Sequence, residues 1–274
     1  MNPIHQEFIL DLERLRNILR LVQLLVSFPS CSEPQEHYAS EDFCGVAYKV
    51  YEATKNSHAH MPILTGTLLL YLAGRFENFV KEIFEDLCDS LASECKDFAH
   101  LPKPMQENLV KFTAEVIANP RKFGHAENGV IAFVNTLTDN LNRRPLNGVN
   151  SKCLSITTEN MWPDTLSDMF ARIGAKNIWN RLGQQACVQI FFQSEDPSKA
   201  SSEARTLLTA FMEWRNKIAH PSGTLTWPSI EQVGKYIDFC EILARALSEV
   251  GGVYAVTLPT RPSNAQQGAA GDAQ

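Results

Sequence analysis

The sequence lacks the short motifs that identify the common enzyme classes. Its 274 residues contain no P-loop, no GxSxG, no HExxH and no dinucleotide-binding fingerprint. Seven cysteines are present, but they are scattered, odd in number and never spaced as CxxC. We therefore expect reduced thiols in the core rather than a disulfide framework or a zinc site, and we expect neither a metal nor a cofactor.

The sequence also lacks a basic excess and a long apolar run. Its net charge is −6 and its pI is near 5.7, which argues against binding nucleic acid over the whole surface but not against a small basic pocket. The apolar stretch at 18–28 is too short to span a bilayer, and the chain does not open with a signal-peptide pattern. We expect a soluble, cytoplasmic protein without a membrane partner.

Helical periodicity runs through most of the chain. Apolar residues recur at i, i+3, i+4 and i+7 most clearly over 64–95, where the pattern includes Phe76, Phe79, Val80 and Ile83. Ser229 and Gln232 have the spacing of a helix-capping box. The predicted helices are 3–27, 40–56, 64–95, 103–118, 126–142, 163–173, 177–192, 199–219 and 229–249.

The organisation predicted from this pattern is one all-α domain. The stretch 143–161 is expected to be a long connection with a short extended piece at 153–157. The hydrophobic content of 44% is enough for a sizeable core, and no change in composition marks a second domain within residues 1–256. The polar segment 257–274 cannot build a core, so we expect a disordered tail.

The run at 215–220 places an arginine in the apolar face of a predicted helix. Leu208, Phe211 and Met212 precede Arg215 on that face, and Ala219 follows it. Arginine is almost never fully buried without a partner. Arg215 is therefore expected either to pair with an internal carboxylate or to face a pocket or an interface.

A histidine stands where this helix is predicted to end. On a continuous helix, His220 would point about 140° away from Arg215, since each residue turns the helix by about 100°. Pro221 disfavours the α conformation at His220. The helix should therefore stop there, which frees the imidazole to turn back towards Arg215.

Arginine, asparagine and histidine at one helix end are suited to phosphate chemistry. Arg215 offers a permanent charge and planar donors, His220 can act as a general acid or base, and Asn216 adds a neutral donor and acceptor. One histidine cannot comfortably be both acid and base in one step, so a symmetric dimer is expected to supply the second. The alternative is structural, with Arg215 in a buried ion pair and His220 as a helix cap.

The run Arg215 to His220 resembles the R-N-x-x-x-H form of the R-x(4–6)-H motif of HEPN domains, in which a turn and a last long helix follow the motif. Upstream, 68–87 with Glu77 resembles the early helix of the RiboL-PSP and MAE-type branches, and 162–182 resembles the segment before their motif helix. The resemblance covers about 64–250. It implies a helical bundle with an N-terminal helical extension, and a metal-independent endoribonuclease of the kind found in toxin–antitoxin and anti-phage systems.

The resemblance also assigns roles to single residues. Arg215 and His220 would be the catalytic pair, Asn216 their polar helper and Lys217 an RNA contact. Glu77 would orient Arg215, unless it pairs with a neighbouring cation on its own helix, Arg75 or Lys81. The implied partners are RNA, with tRNA as one candidate, a second copy of the chain, and an antitoxin or other defence-system protein. The alternative function is a catalytically silent HEPN module that binds a protein or an RNA.

Other basic and aromatic residues are weaker candidates. Arg121 and His125 share a loop with Gly124, where they could touch an RNA backbone. The pair at 143–144 is expected to be a solvated part of a loop. The histidines 58 and 60 lack a third metal ligand, and Trp214 and Trp227 are expected to pack rather than to stack on bases.

Overall fold

The computed structural model describes residues 2–31, 43–55, 60–124, 127–142, 145–220 and 226–258. Every regular element within these ranges is helical, which confirms the predicted all-α class. Short 3₁₀ turns also lie at Phe28–Ser30, Phe98–His100 and Pro120–Phe123. The α-helices are α1 Pro3–Ser27, α2 Phe43–Lys55, α3 Met61–Ser93, α4 Lys103–Ala118, α5 Glu127–Leu141, α6 Ser151–Leu154, α7 Pro163–Ala171, α8 Ile178–Gly183, α9 Ala186–Phe191, α10 Pro197–Ala219 and α11 Ile230–Thr257.

Side chains that cap the backbone explain where the long helices begin. The Oδ1 atom of Asp196 accepts from the backbone N–H of Ser198 at 2.9 Å at the start of α10. The predicted capping box of α11 is confirmed, since Ser229 and Gln232 each accept from the other's backbone N–H. Both caps satisfy amides that a helix end leaves without an intrahelical partner.

The centre of the fold is formed by α1, α3 and α11, each of which packs against the other two. Phe8 on α1 stacks on Phe79 of α3, with ring centroids 4.6 Å apart. Asn2 reaches Asp86 near the end of α3, whereas Val22 lies near its start, so α1 runs antiparallel to α3. One apolar cluster joins these three helices to α4, α6, α7, α8, α9 and α10. The N-terminal helix is therefore part of the core, while the predicted domain boundary at 256 stays a prediction.

Two elements between α5 and α10 differ from the prediction. The extended piece expected at 153–157 is wrong, because residues 151–154 form the short helix α6. Cys153 and Leu154 are both fully buried there, whereas a strand would send adjacent side chains to opposite faces. The single helix expected at 177–192 is α8 followed by α9. The break follows Gly183, where an added Cβ would lie 2.2 Å from the carbonyl oxygen of Pro197.

The last helix is longer than predicted. The predicted end is 249, but α11 continues through Gly251 and Gly252 to Thr257. Tyr254 explains the continuation, since its ring is buried and its hydroxyl donates to the carbonyl oxygen of Lys176 at 3.0 Å. Tertiary packing outweighs the helix-weakening effect of two glycines. Residues 259–274, most of the predicted tail, lie outside the described residues.

The helix α10 carries the predicted motif at its C-terminal end. Leu208, Phe211 and Met212 are buried on the side that packs against the rest of the bundle, as the periodicity predicted. None of the described helices combines the length and the apolar character that crossing a bilayer requires.

Candidate functional site

The motif helix ends where Pro221 predicts. Ala219 is the last residue of α10, and His220 has φ −129° and ψ 68°, outside the helical region. The backbone N–H of His220 still donates to the carbonyl oxygen of Asn216 at 3.0 Å. His220 is exposed, so its imidazole is open to solvent and to a partner molecule.

Arg215 is half-buried without a carboxylate partner. Its Nη1 donates to Oδ1 of Asn216 at a long 3.4 Å, and no Asp or Glu of the described ranges lies within ion-pairing distance. The structural alternative, in which Arg215 belongs to an internal ion pair, therefore finds no support within these ranges. A guanidinium in this state keeps most of its five N–H donors free for an anion.

Asn216 is held by a residue that sequence reasoning missed. The Nδ2 atom of Asn160 donates to Oδ1 of Asn216 at 2.6 Å, across 56 positions of the chain. Asn160 lies in the connection between α6 and α7, where neither periodicity nor charge marks it. A neutral amide in a loop has neither a charge nor a helical period, so the sequence gives no signal for it.

The connection that carries Asn160 is anchored on both sides. Met161 is fully buried, and the backbone N–H of Trp162 donates to the carbonyl oxygen of Asn160 at 2.7 Å. Upstream, Arg172 donates from Nη1 to the carbonyl oxygen of Ile156 at 2.8 Å. The position of Asn160 is therefore set by the surrounding core.

Glu77 pairs with Lys81 rather than with Arg215. The Nζ of Lys81 lies 2.7 Å from Oε1 of Glu77, one helical turn away on α3. This is the alternative that the sequence left open. No described contact supports Glu77 as the residue that orients Arg215.

The aromatic residues beside the motif pack against other groups. An alanine Cβ at position 66 would lie 2.4 Å from Cζ3 of Trp227 and 3.4 Å from Cγ2 of Ile218, so Trp227 lies directly over Gly66 beside the motif helix. The Nζ of Lys217 lies 5.5 Å from the ring centroid of Trp214, a cation–π arrangement. Lys217 is exposed.

No described contact joins the weaker candidates to this site. His60 immediately precedes α3, and Arg121 lies in the 3₁₀ turn Pro120–Phe123. Residues 58, 125, 143 and 144 lie outside the described part of the chain. Within that part, no three His, Cys, Asp or Glu side chains come together in a way that could hold a metal ion.

Comparison with known proteins gives one family. Residues 47–250 match the family model described as RiboL-PSP-HEPN, so the match begins within α2 and ends within α11. Neither a curated protein nor a solved structure matches the chain significantly. The match covers well over half of the 274 residues and includes the whole helix that carries Arg215 and Asn216, and the chain therefore belongs to the RiboL-PSP-HEPN family.

Proposed function

We propose that this chain is a metal-independent endoribonuclease whose reaction centre lies at the C-terminal end of α10. One observation carries the proposal. Arg215 presents N–H donors without a carboxylate partner in the described residues, five positions before the exposed His220 at the end of the same helix. Membership of a family of HEPN-type domains, which are commonly ribonucleases, supports it.

The reaction would use the 2′-hydroxyl of the RNA as its nucleophile. A neutral histidine removes the 2′-O–H proton, and the 2′-oxygen forms a bond to the adjacent phosphorus. The P–O5′ bond breaks, and a protonated histidine gives its proton to the leaving 5′-oxygen. Arg215 and Asn216 stabilise the negative charge that builds on the phosphoryl oxygens. The products are a 2′,3′-cyclic phosphate and a 5′-hydroxyl.

Two protomers would complete this acid–base pair. The proposed reaction needs a base and an acid at once, and each protomer offers one His220. Because His220 is exposed at a helix end, a two-fold related copy can bring its own imidazole to the same phosphate. Lys217 would add a cation next to the RNA backbone.

The biological role that fits this activity is a cytoplasmic toxin or anti-phage defence effector. Uncontrolled RNA cleavage harms the cell that makes it, so an antitoxin or another protein of the same system would restrain it. RNA, with tRNA as the first candidate, is the proposed substrate.

Incubation of the purified chain with tRNA and with total RNA in EDTA tests the proposal. We expect cleavage that EDTA does not prevent, with ends that carry a cyclic phosphate and a 5′-hydroxyl. RNA that stays bound and uncut would favour the alternative of a silent binding module. Cleavage that EDTA abolishes would contradict the metal-independent reaction.

A further inference from the structure

We propose that Asn160 is a positioning residue, which holds the side-chain amide of Asn216 so that its nitrogen rather than its oxygen is presented to the RNA phosphate. The inference rests on the proposed function and deepens it. It assigns a task to a residue outside the motif, on a different segment of the chain. Its effect would pass entirely through Asn216.

The hydrogen bonds of Asn216 define which end of its amide is occupied. Its Oδ1 accepts from Nδ2 of Asn160 at 2.6 Å and from Nη1 of Arg215 at 3.4 Å. An amide oxygen has two lone pairs, so these two donors occupy it. The Nδ2 of Asn216 has no acceptor among the described residues, and its two N–H groups are left for a ligand.

Arg215 and Asn160 fix the amide of Asn216 together. A guanidinium can only donate, so the contact from Arg215 decides that Asn216 turns its oxygen inwards, and Asn160 adds the short bond that holds the oxygen there. The oxygen and nitrogen of a side-chain amide are nearly equal in size, so only their hydrogen-bond partners decide the orientation. The contact from Arg215 is at the outer limit for a hydrogen bond, whereas that from Asn160 is short. Without Asn160, the amide of Asn216 could turn its oxygen outwards.

The orientation matters because a phosphate diester offers only acceptors. With the amide held as observed, Arg215 and Asn216 both present N–H donors. With the amide reversed, an oxygen would face the phosphate oxygens and repel them. The anchored connection around Asn160, with Met161 fully buried, means that the donors are arranged before RNA binds, which is what charge stabilisation in a transition state requires.

A double-mutant cycle on the cleavage of an RNA oligonucleotide tests the inference. We expect Asn160→Ala to lower kcat/KM about fivefold, the effect of one neutral hydrogen bond. In the Asn216→Ala background, Asn160→Ala should have no further effect, because its target is gone. Asn108→Ala is the matched control. Asn108 also joins two segments through its amide, with Nδ2 3.1 Å from the carbonyl oxygen of Arg172, and its loss should leave kcat/KM unchanged.

The test compares the loss of kcat/KM that Asn160→Ala causes in the wild-type chain with the loss that it causes in the Asn216→Ala chain. An equal loss in both backgrounds would show that Asn160 acts independently of Asn216, and the inference would fail while the ribonuclease assignment stood. Loss of activity in Asn108→Ala as well would mean that cleavage responds to any weakening of the bundle, which also overturns the inference. If the wild-type chain cut no RNA, the proposed function and the inference would fail together.

Amide resonances provide a readout that needs no turnover. The side-chain N–H signals of Asn216, assigned by their loss in Asn216→Ala, should shift when a 2′-O-methyl RNA that cannot be cleaved is added. The shift should be lost or reduced at least twofold in Asn160→Ala, and preserved in Asn108→Ala. An Asn216 signal that does not respond to this RNA in the wild-type chain would contradict the proposed orientation.

Discussion

The guanidinium of Arg75 on α3 donates to the buried carboxylate of Asp11 on α1, with Nε 2.6 Å from Oδ2. Asp11 precedes the family match at 47–250, and Arg75 lies inside it. The Asp11 side chain is 8% exposed and also accepts from Nη1 of Arg14 at 2.8 Å. The N-terminal helix is thus joined to the family's bundle by an ion pair as well as by apolar packing.

Removal of the charge on Asp11 should destabilise the fold. Asp11→Asn leaves the shape unchanged but deprives the half-buried Arg75 of its close counter-ion. Loss of one partner of a fully buried pair costs about 3–5 kcal/mol, and partial exposure of Arg75 lowers the expected loss of unfolding free energy to about 2 kcal/mol. Urea denaturation followed by circular dichroism measures it.

Glu7→Gln is the control for this experiment. Glu7 also lies near Arg75, but the N···O distance is 3.6 Å and its side chain is 72% exposed. A solvated pair of this kind contributes about 0–1 kcal/mol. Equal effects of the two substitutions would show that burial of Asp11 does not matter.

Much of the fold could be predicted because the apolar residues of long amphipathic helices recur with the helical period. The predicted span 3–27 agrees with α1, and 103–118 agrees with α4. The errors lie where tertiary contacts determine whether a helix ends or continues. Gly183 lies against the backbone of Pro197, and the hydrogen bond from Tyr254 to Lys176 stabilises α11 beyond its two glycines. Neither contact has a local pattern, because its two partners are far apart in the chain.

The candidate site likewise has one part that the local sequence predicts and another that it does not. The end of α10 follows from the proline after His220, a local steric rule. The partner of Asn216 could not be predicted by a local rule, because Asn160 lies 56 positions away in a segment without periodicity. The sequence offers Arg215, Arg75 and Lys81 as partners of Glu77, and the helical i, i+4 neighbour Lys81 is the one observed.

Loss of either motif residue should abolish cleavage without unfolding the protein. Arg215→Ala removes the charge that would stabilise the phosphorane-like transition state, and His220→Ala removes the acid or base. We expect each to lower kcat/KM by about 100-fold or more, in line with general acid–base and electrostatic contributions. Neither side chain makes an ion pair in the described structure, so the unfolding midpoint should change little.

Mixing wild-type chain with the His220→Ala variant tests whether protomers share the site. If each reaction centre takes its acid and its base from the His220 of two copies, a mixed dimer has only one of these histidines and should be inactive. After subunit exchange in an equimolar mixture, cleavage should therefore fall to about half of the rate that the same amount of unmixed wild-type chain gives, whereas an unchanged rate would show that each copy cuts alone. Cleavage at the wild-type rate by either pure variant would contradict the assignment of that residue.

Two glycines on α3 should respond in opposite ways to alanine. At Gly66 a new Cβ would lie 2.4 Å from the ring of Trp227, whereas at the exposed Gly74 it would meet no atom within 4 Å. We expect Gly66→Ala to lower the free energy of unfolding by about 1–3 kcal/mol through overpacking. Gly74→Ala should raise it by about 0.5–1 kcal/mol, because alanine favours a helix interior. Losses of equal size at both positions would contradict the packing of Trp227 over Gly66.

Buried His5 should make stability depend on pH near neutrality. Burial lowers the pKa of His5 below its ordinary value of 6.5, and Arg245 acts in the same direction while Glu241 and Glu249 oppose it. The unfolded chain therefore binds a proton at His5 before the folded chain does. The free energy of unfolding should fall as the pH drops below about 6.5, and the fall should end below the folded pKa.

His5→Leu isolates this contribution. The imidazole packs edge-on against Phe79, with ring centroids 6.3 Å apart, and leucine keeps an apolar group there that cannot be protonated. We expect the loss of unfolding free energy between pH 7.5 and pH 5.5 to be smaller in His5→Leu than in the wild-type chain, measured by urea denaturation at each pH. Because every other histidine and carboxylate is common to both proteins, the difference between their two pH profiles reports on His5 alone. Parallel profiles would show that His5 has the same pKa in the folded and unfolded chains, and that its burial carries no proton-linked stability.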